Sequence, residues 1–214
     1  MNRVAIIDYG VGNLRSVEKA FATTGCEASI SSDESFLRSA ERLVLPGVGA
    51  FAACMKALEE RGFDRLVRQR AAAGTPLLGV CVGMQMLFEE SEEFGSTRGL
   101  ALLQGRVRKF GSELVVPQVG WNRIHQKRPQ ALFEGIANGS FCYFVHSFYC
   151  EPADDSVVAG ETEYGRRYAS VVAQRNVFGV QFHPEKSQDV GLRMLKNFAT
   201  DEHGFQTQIQ IKSA

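Results

Sequence analysis

The chain has 214 residues, 44% of them hydrophobic, 22% charged and 10% aromatic, with 24 Lys and Arg against 24 Asp and Glu. That is enough ordinary globular chain for one sizeable core; it excludes a disordered or collagen-like polymer, and the zero net charge leaves no basic surplus for nucleic acid. The uncharged stretches 43–55 and 74–88 are broken by Gly, Pro or polar residues and fall short of the roughly 18 apolar residues a membrane span needs.

At the N-terminus, Asp8 follows only four apolar residues, too soon for a secretory h-region. The run Val4 to Ile7 has the length of a buried strand; turn residues Tyr9 to Asn13 follow, then a helix with Leu14, Val17 and Phe21 on one face, closed by Gly25. Leu43 to Leu45 predicts a second strand before Pro46-Gly47, and Phe51, Met55 and Leu58 the stripe of a helix ending at Gly62. A further helix through Leu66, Val67 and Arg70 stops at Gly74, Pro76 opens the strand Leu77 to Val80, and Met84 to Phe88 begins another helix. This alternation predicts an α/β fold with a doubly wound, mostly parallel sheet and helices on both faces. Beyond about residue 100, the segments Leu114 to Val116, Phe141 to Val145, Ala169 to Ala173 and Val177 to Phe182 predict a β-rich, antiparallel or mixed section. A last helix takes Ser187 as N-cap and Leu192, Leu195 and Phe198 on one face. Residues 1–200 form one domain in this reading, and 201–214 a frayed tail.

Gly79-Val80-Cys81-Val82-Gly83 joins a strand to a helix, the arrangement of a nucleophile elbow with Cys in the place of Ser. In such a turn the nucleophile is strained, and side chains at −2 and +2 would clash with neighbouring chain. The helix N-terminus would favour thiolate over thiol. Alone, the motif fits equally a small buried cysteine between two packing glycines. A thiol nucleophile needs a base. Of four histidines, His183 stands at a strand end in His183-Pro184-Glu185, where an extended backbone would bring Glu185 to the side of the imidazole and fix its tautomer. Taken alone, this is also compatible with a strand-end His beside a solvated Glu. His125 is expected to be solvated, His146 to be structural, and His203 to lie in the tail. Acyl transfer also needs an oxyanion hole, for which the Val82 N–H and one from the Pro46-Gly47-Val48-Gly49 turn are candidates; a plain tight turn is the alternative for the latter. Gly10-Val11-Gly12 lacks the third glycine of a dinucleotide fingerprint, since Arg15 occupies that place. The five cysteines are odd in number, scattered and free of C-x-x-C, so neither a disulfide framework nor a metal site is predicted, no cofactor is expected, and a reducing cytoplasm is.

Together the motifs resemble the class I, triad-type glutamine amidotransferases, and among them the glutaminase subunits of imidazole glycerol phosphate synthase. The matching segments are Asp8 to Asn13, Pro46 to Phe51, Gly79 to Glu93, Gly120 to Asn122, Tyr143 to Ser147 and Gly179 to Ser187. The resemblance implies hydrolysis of L-glutamine by Cys81, His183 and Glu185, an oxyanion hole from Val48 and Val82, and substrate binding by Gly49, Gln85, Glu93, Ser147 and Phe148. It implies a heterodimer with a (β/α)₈-barrel cyclase, which Asn13, Gln118, Trp121, Tyr143 and Lys186 would face, and which uses channelled ammonia to make imidazole glycerol phosphate and AICAR from PRFAR in histidine biosynthesis. Where the family usually has Pro-His-Met before Gly-Trp-Asn, this chain has Pro117-Gln118-Val119. A paralogue feeding a surface-sugar amidotransferase and a catalytically idle scaffold are the alternatives.

Overall fold

The computed structural model describes residues 4–200; the tail expected over 201–214, with His203, lies outside them. In chain order the elements are β1 (Val4–Ile7), α1 (Leu14–Thr23), β2 (Ala28–Ser31), α2 (Glu34–Ser39), β3 (Arg42–Gly47), α3 (Phe51–Glu60), α4 (Phe63–Ala72), β4 (Leu77–Cys81), α5 (Val82–Met86), β5 (Glu90–Ser91), β6 (Thr97–Arg98), β7 (Gly105–Lys109), β8 (Gln118–Arg123), β9 (His125–Gln126), β10 (Phe141–His146), β11 (Phe148–Pro152), β12 (Val158–Glu163), β13 (Arg167–Gln174), β14 (Val177–Val180) and α6 (Gln188–Thr200).

Strands β2, β1, β3, β4 and β14 lie side by side and parallel, and the sheet continues through β13, β11, β7, β5 and β6 with mostly antiparallel pairing. Strands β1, β3, β4 and β14 are buried along their whole length and read as largely apolar runs because both sheet faces are covered. Right-handed crossovers decide which helix covers which face. The step from β1 to β2 moves one way along the sheet, and those from β2 to β3 and β3 to β4 the other. Accordingly α1 packs with α6, whereas α2 and α3 pack with α4. The core runs through Ile6, Phe21, Leu43, Leu45, Phe51, Leu66, Phe178 and Phe198.

Four local expectations are corrected. Between α1 and β3 the chain forms β2 and α2, which the apolar pattern did not reveal; β2 is a half-buried edge strand, and Asp33 starts α2 by accepting the Phe36 N–H at 3.0 Å. Leu114 to Val116 is not a strand: Leu114 N–H closes a turn on the Gly111 carbonyl, and Pro117 brings no N–H to a ladder. Helix α5 ends at Met86 because the carbonyls of Met86, Leu87 and Phe88 accept N–H groups from Leu100, Leu102, Leu103 and Ala101 in place of a further helical turn. Strand β14 ends at Val180, two residues earlier than Phe182.

Strands β8 and β10 form a separate antiparallel ribbon, with Trp121 opposite Tyr143 and Gln118 opposite His146. Period-2 alternation gives it two faces. Gln118, Cys142, Phe144 and His146 turn inward and are buried, while Val119, Trp121 and Phe141 are exposed.

Candidate active site

Cys81 ends β4 with φ 56° and ψ −115°, a backbone conformation a non-glycine residue holds only where its surroundings enforce it. The enforcement is visible in the glycines. A Cβ on Gly83 would stand 1.9 Å from the Leu45 carbonyl oxygen, and one on Gly79 2.6 Å from that of Gly83. Only bare backbone lets α5 press onto the ends of β3 and β4, and that pressure fixes the elbow. The Cys81 sulfur is buried, 4.0 Å from the Val145 carbonyl and 3.9 Å from the Gln181 side-chain amide.

His183 follows β14, the neighbour of β4, and lines the same cavity as Cys81. Its Nδ1 is 2.8 Å from Glu185 Oε1, with the two side chains only 7% and 1% exposed. The route differs from the expected one: Pro184–Lys186 is a 3₁₀ turn, and its tight winding, not an extended strand, carries Glu185 back to the imidazole. The other carboxylate oxygen of Glu185 is buried without a hydrogen-bond partner among the described residues, so the carboxylate's hydrogen bonding is directed at His183. Burial works against a charged imidazole, but hydrogen bonds and charge from Cys81 and Glu185 outweigh it and lift His183 to about 10. A carboxylate on Nδ1 fixes that nitrogen as the proton carrier and leaves Nε2 for the thiol.

His146 is a structural residue. Its Nδ1 donates to the Phe148 carbonyl at 2.8 Å, and its Nε2 lies 3.2 Å from the Tyr168 hydroxyl, which also reaches Gln118 Oε1 at 3.0 Å. Burial pushes its pKa down to about 4, so it is neutral near pH 7. His125 is exposed.

A cavity of about 610 Å³ opens in front of the thiol, lined by Val48, Gly49, Val82, Gln85, Glu93, Ser147, Phe148, His183 and Lys186 among others. All the residues expected to bind substrate and both oxyanion candidates therefore meet in one place. Two of them also hold the scaffold. Gln85 donates to the Phe148 carbonyl and to Gln181 Oε1, each at 3.1 Å, and Glu93 accepts the Phe51 N–H at 2.6 Å. Gln181, buried between Gln85 and Cys81, was not singled out from sequence; its place two residues before His183 was the available signal.

The residues expected at a partner surface divide. Asn13, Trp121 and Lys186 are exposed, Tyr143 is half-buried, the Trp121 and Tyr143 rings meet edge to face at 5.9 Å, and Lys186 Nζ lies 5.9 Å from the Tyr143 ring. Gln118 does not join them. Strand parity turns it inward onto Tyr168, and Val119 takes the outward place.

A mixed α/β sheet with a cysteine elbow on one parallel strand, a His–Glu pair just beyond the next and a cavity between them is the arrangement expected of a triad-type amidotransferase, and residues 5–201 match the family model described as glutamine amidotransferase class-I. The chain belongs to that family. Within it, the chain is similar to imidazole glycerol phosphate synthase subunit HisH of Syntrophotalea carbinolica, with 49% identity over 91% of this chain and 98% of that protein. It is also similar to HisH of Moorella thermoacetica, with 48% identity over 92% and 94%. Among solved structures, a glutamine amidotransferase superposes with TM-score 0.72 at 23% identity over 92% of this chain and 98% of that one. PurLQS from Thermotoga maritima superposes with TM-score 0.71 at 20% identity over 92% and 95%. These two share the fold.

Proposed function

We propose that the chain is a glutaminase subunit of imidazole glycerol phosphate synthase, hydrolysing L-glutamine to glutamate and ammonia and passing the ammonia to a cyclase subunit. The observation that carries this reading is Cys81, strained at an elbow, facing a His183–Glu185 pair inside a cavity lined by Gly49, Gln85, Glu93, Ser147 and Phe148. The Cys81 thiolate adds to the side-chain amide carbon, and the resulting oxyanion is received by the N–H groups of Val82 and Val48. His183 gives its proton to the departing nitrogen, releasing ammonia and leaving a thioester; it then takes a proton from water, whose attack frees glutamate and the thiol. Glu185 holds the imidazole throughout. Glu93 offers a carboxylate to the substrate's ammonium group.

The partner is a (β/α)₈-barrel cyclase that uses the ammonia to convert PRFAR into imidazole glycerol phosphate and AICAR, in the cytoplasm. Support for a partner comes from the outward face of the β8–β10 ribbon, where Val119, Trp121 and Phe141 are exposed beside Tyr143 and Lys186, and from the similarity to HisH subunits. That similarity does not favour a surface-sugar paralogue, and an intact triad does not favour an idle scaffold.

The test is glutamate release from L-glutamine by the chain alone, with the barrel cyclase, and with the cyclase carrying its ribonucleotide. Low activity alone and a rise of at least about a hundredfold with the loaded partner are expected. If the cyclase neither binds nor stimulates, the assignment to this synthase fails; if Cys81 forms no thioester with glutamine, the chemistry fails as well.

A further inference from the structure

Two buried side chains with no part in the proposed chemistry close on the same turn. Tyr9, just beyond β1, donates its hydroxyl to the Pro46 carbonyl at 2.6 Å. Cys54, in the first turn of α3, donates its thiol to the Val48 carbonyl at 3.3 Å. Both are buried, and desolvation raises both pKa values, so each remains a protonated donor at neutral pH. The carbonyls they hold belong to the peptide before Gly47 and to the peptide after Val48. Between them lies a single peptide unit, the one whose N–H is that of Val48. With its neighbours held, that unit can turn only as a crankshaft, by opposed rotation of ψ at Gly47 and φ at Val48. Gly47 makes such rotation possible and admits no side chain, since a Cβ there would stand 2.7 Å from the Gly83 nitrogen.

We propose that Tyr9 and Cys54 are positioning residues for the oxyanion hole: by pinning the Pro46 and Val48 carbonyls they set where the Val48 N–H points. The inference rests on the glutaminase reading given above. Neither side chain touches substrate; each acts through the backbone of the turn. A misdirected N–H leaves the substrate's ground state bound as before and weakens only the charged tetrahedral state, so the expected signature is a loss in kcat with KM held.

The experiment compares Tyr9→Phe, Cys54→Ala and Cys54→Ser in the complete complex with the loaded partner. Tyr9→Phe and Cys54→Ala each lower kcat about tenfold with KM within about twofold, and Cys54→Ser, whose hydroxyl donates to the same carbonyl, recovers most of the loss. A second measurement separates positioning from general damage: the rate at which iodoacetamide alkylates Cys81, read by mass spectrometry. Alkylation of a thiolate forms no oxyanion, so its rate stays at the unsubstituted value in all three variants. Unchanged kcat in both Tyr9→Phe and Cys54→Ala, or a parallel loss of alkylation and turnover, overturns the proposal. A complex that releases no glutamate even without substitution overturns the glutaminase reading itself, and this inference with it.

Discussion

Glu93 accepts the backbone N–H of Phe51 at 2.6 Å, so a carboxylate from the loop after β5 caps α3, whose own N-cap residue, Ala50, has no side chain able to do so. The same carboxylate belongs to a residue lining the cavity. The two duties separate by substitution. Glu93→Gln keeps an acceptor for Phe51 but loses the charge: its melting temperature stays within about 2 °C of the unsubstituted chain, while KM for glutamine rises at least about tenfold. Glu93→Ala loses both, and the missing cap, worth about 1 kcal/mol, lowers the melting temperature by a further 2–4 °C or so. Equal melting of the two variants would refute the capping role.

In the proposed reaction Cys81 carries strain and chemistry in one residue. Cys81→Ala is expected to fold and bind the partner with glutamine hydrolysis down by at least about 10³-fold. Cys81→Gly should be as inactive yet melt above Cys81→Ala, because φ 56°, ψ −115° costs a Cβ-bearing residue about 1–3 kcal/mol and glycine little. Calorimetry of the pair decides it.

Two histidines give the protein opposite pH limits. His183 is held to about 10 when folded against about 6.5 when unfolded, so between those values the native state binds more protons. Its stabilisation is complete below pH 6.5 and is lost as the pH rises toward 10. His146 lies at about 4 when folded, so the unfolded state binds more protons between pH 4 and 6.5, and stability falls as the pH drops through that window. Melting temperature against pH should therefore be highest near pH 6.5. His183→Asn should flatten the alkaline limb alone, and His146→Gln the acidic limb alone.

Gly83→Ala is expected to be the most damaging methyl group that can be added to this chain's elbow, since its Cβ would lie 1.9 Å from the backbone oxygen of Leu45 and no flexible side chain is there to yield. A loss of about 3 kcal/mol or more is expected, seen as little folded protein. Gly49→Ala meets nothing within 4 Å but must adopt φ +84°, and should cost only about 1–2 kcal/mol. A reversal of that order would be inconsistent with the packing described.

Val48→Pro removes the N–H assigned to the oxyanion hole and should cut partner-stimulated hydrolysis at least about a hundredfold while glutamine still binds, as read by isothermal titration to the chain with Cys81→Ala added. Full retained turnover would remove Val48 from the mechanism.

Much of the site could be read without coordinates because its parts are local. Gly79, Cys81 and Gly83 are all within four residues of one another, and the clash that demands the glycines is a property of any tight strand-to-helix turn. His183 and Glu185 were paired correctly for the wrong reason, because proline suits the first turn of a 3₁₀ helix as well as it suits extended chain. Gln118 was misplaced although the means to place it were present: once Trp121 is assigned outward, parity sends residue 119 outward and 118 inward. Other features were beyond reach. The end of α5 is set by N–H groups from residues 100 to 103, and the pinning of the oxyanion turn joins Tyr9 to Pro46 across 37 positions. Nothing in a local window encodes such partnerships.

The β8–β10 ribbon is tied to the Cys81–His183–Glu185 cluster through its main chain: the Tyr143 carbonyl accepts the His183 N–H at 2.9 Å, the Tyr143 N–H donates to the Ser187 hydroxyl at 3.0 Å, and the Val145 carbonyl lies 4.0 Å from the Cys81 sulfur. Main-chain bonds are blind to sequence. Drift in the outward residues of the ribbon can therefore change the surface they present over generations, while the strand that steadies the His183 imidazole keeps its grip unchanged.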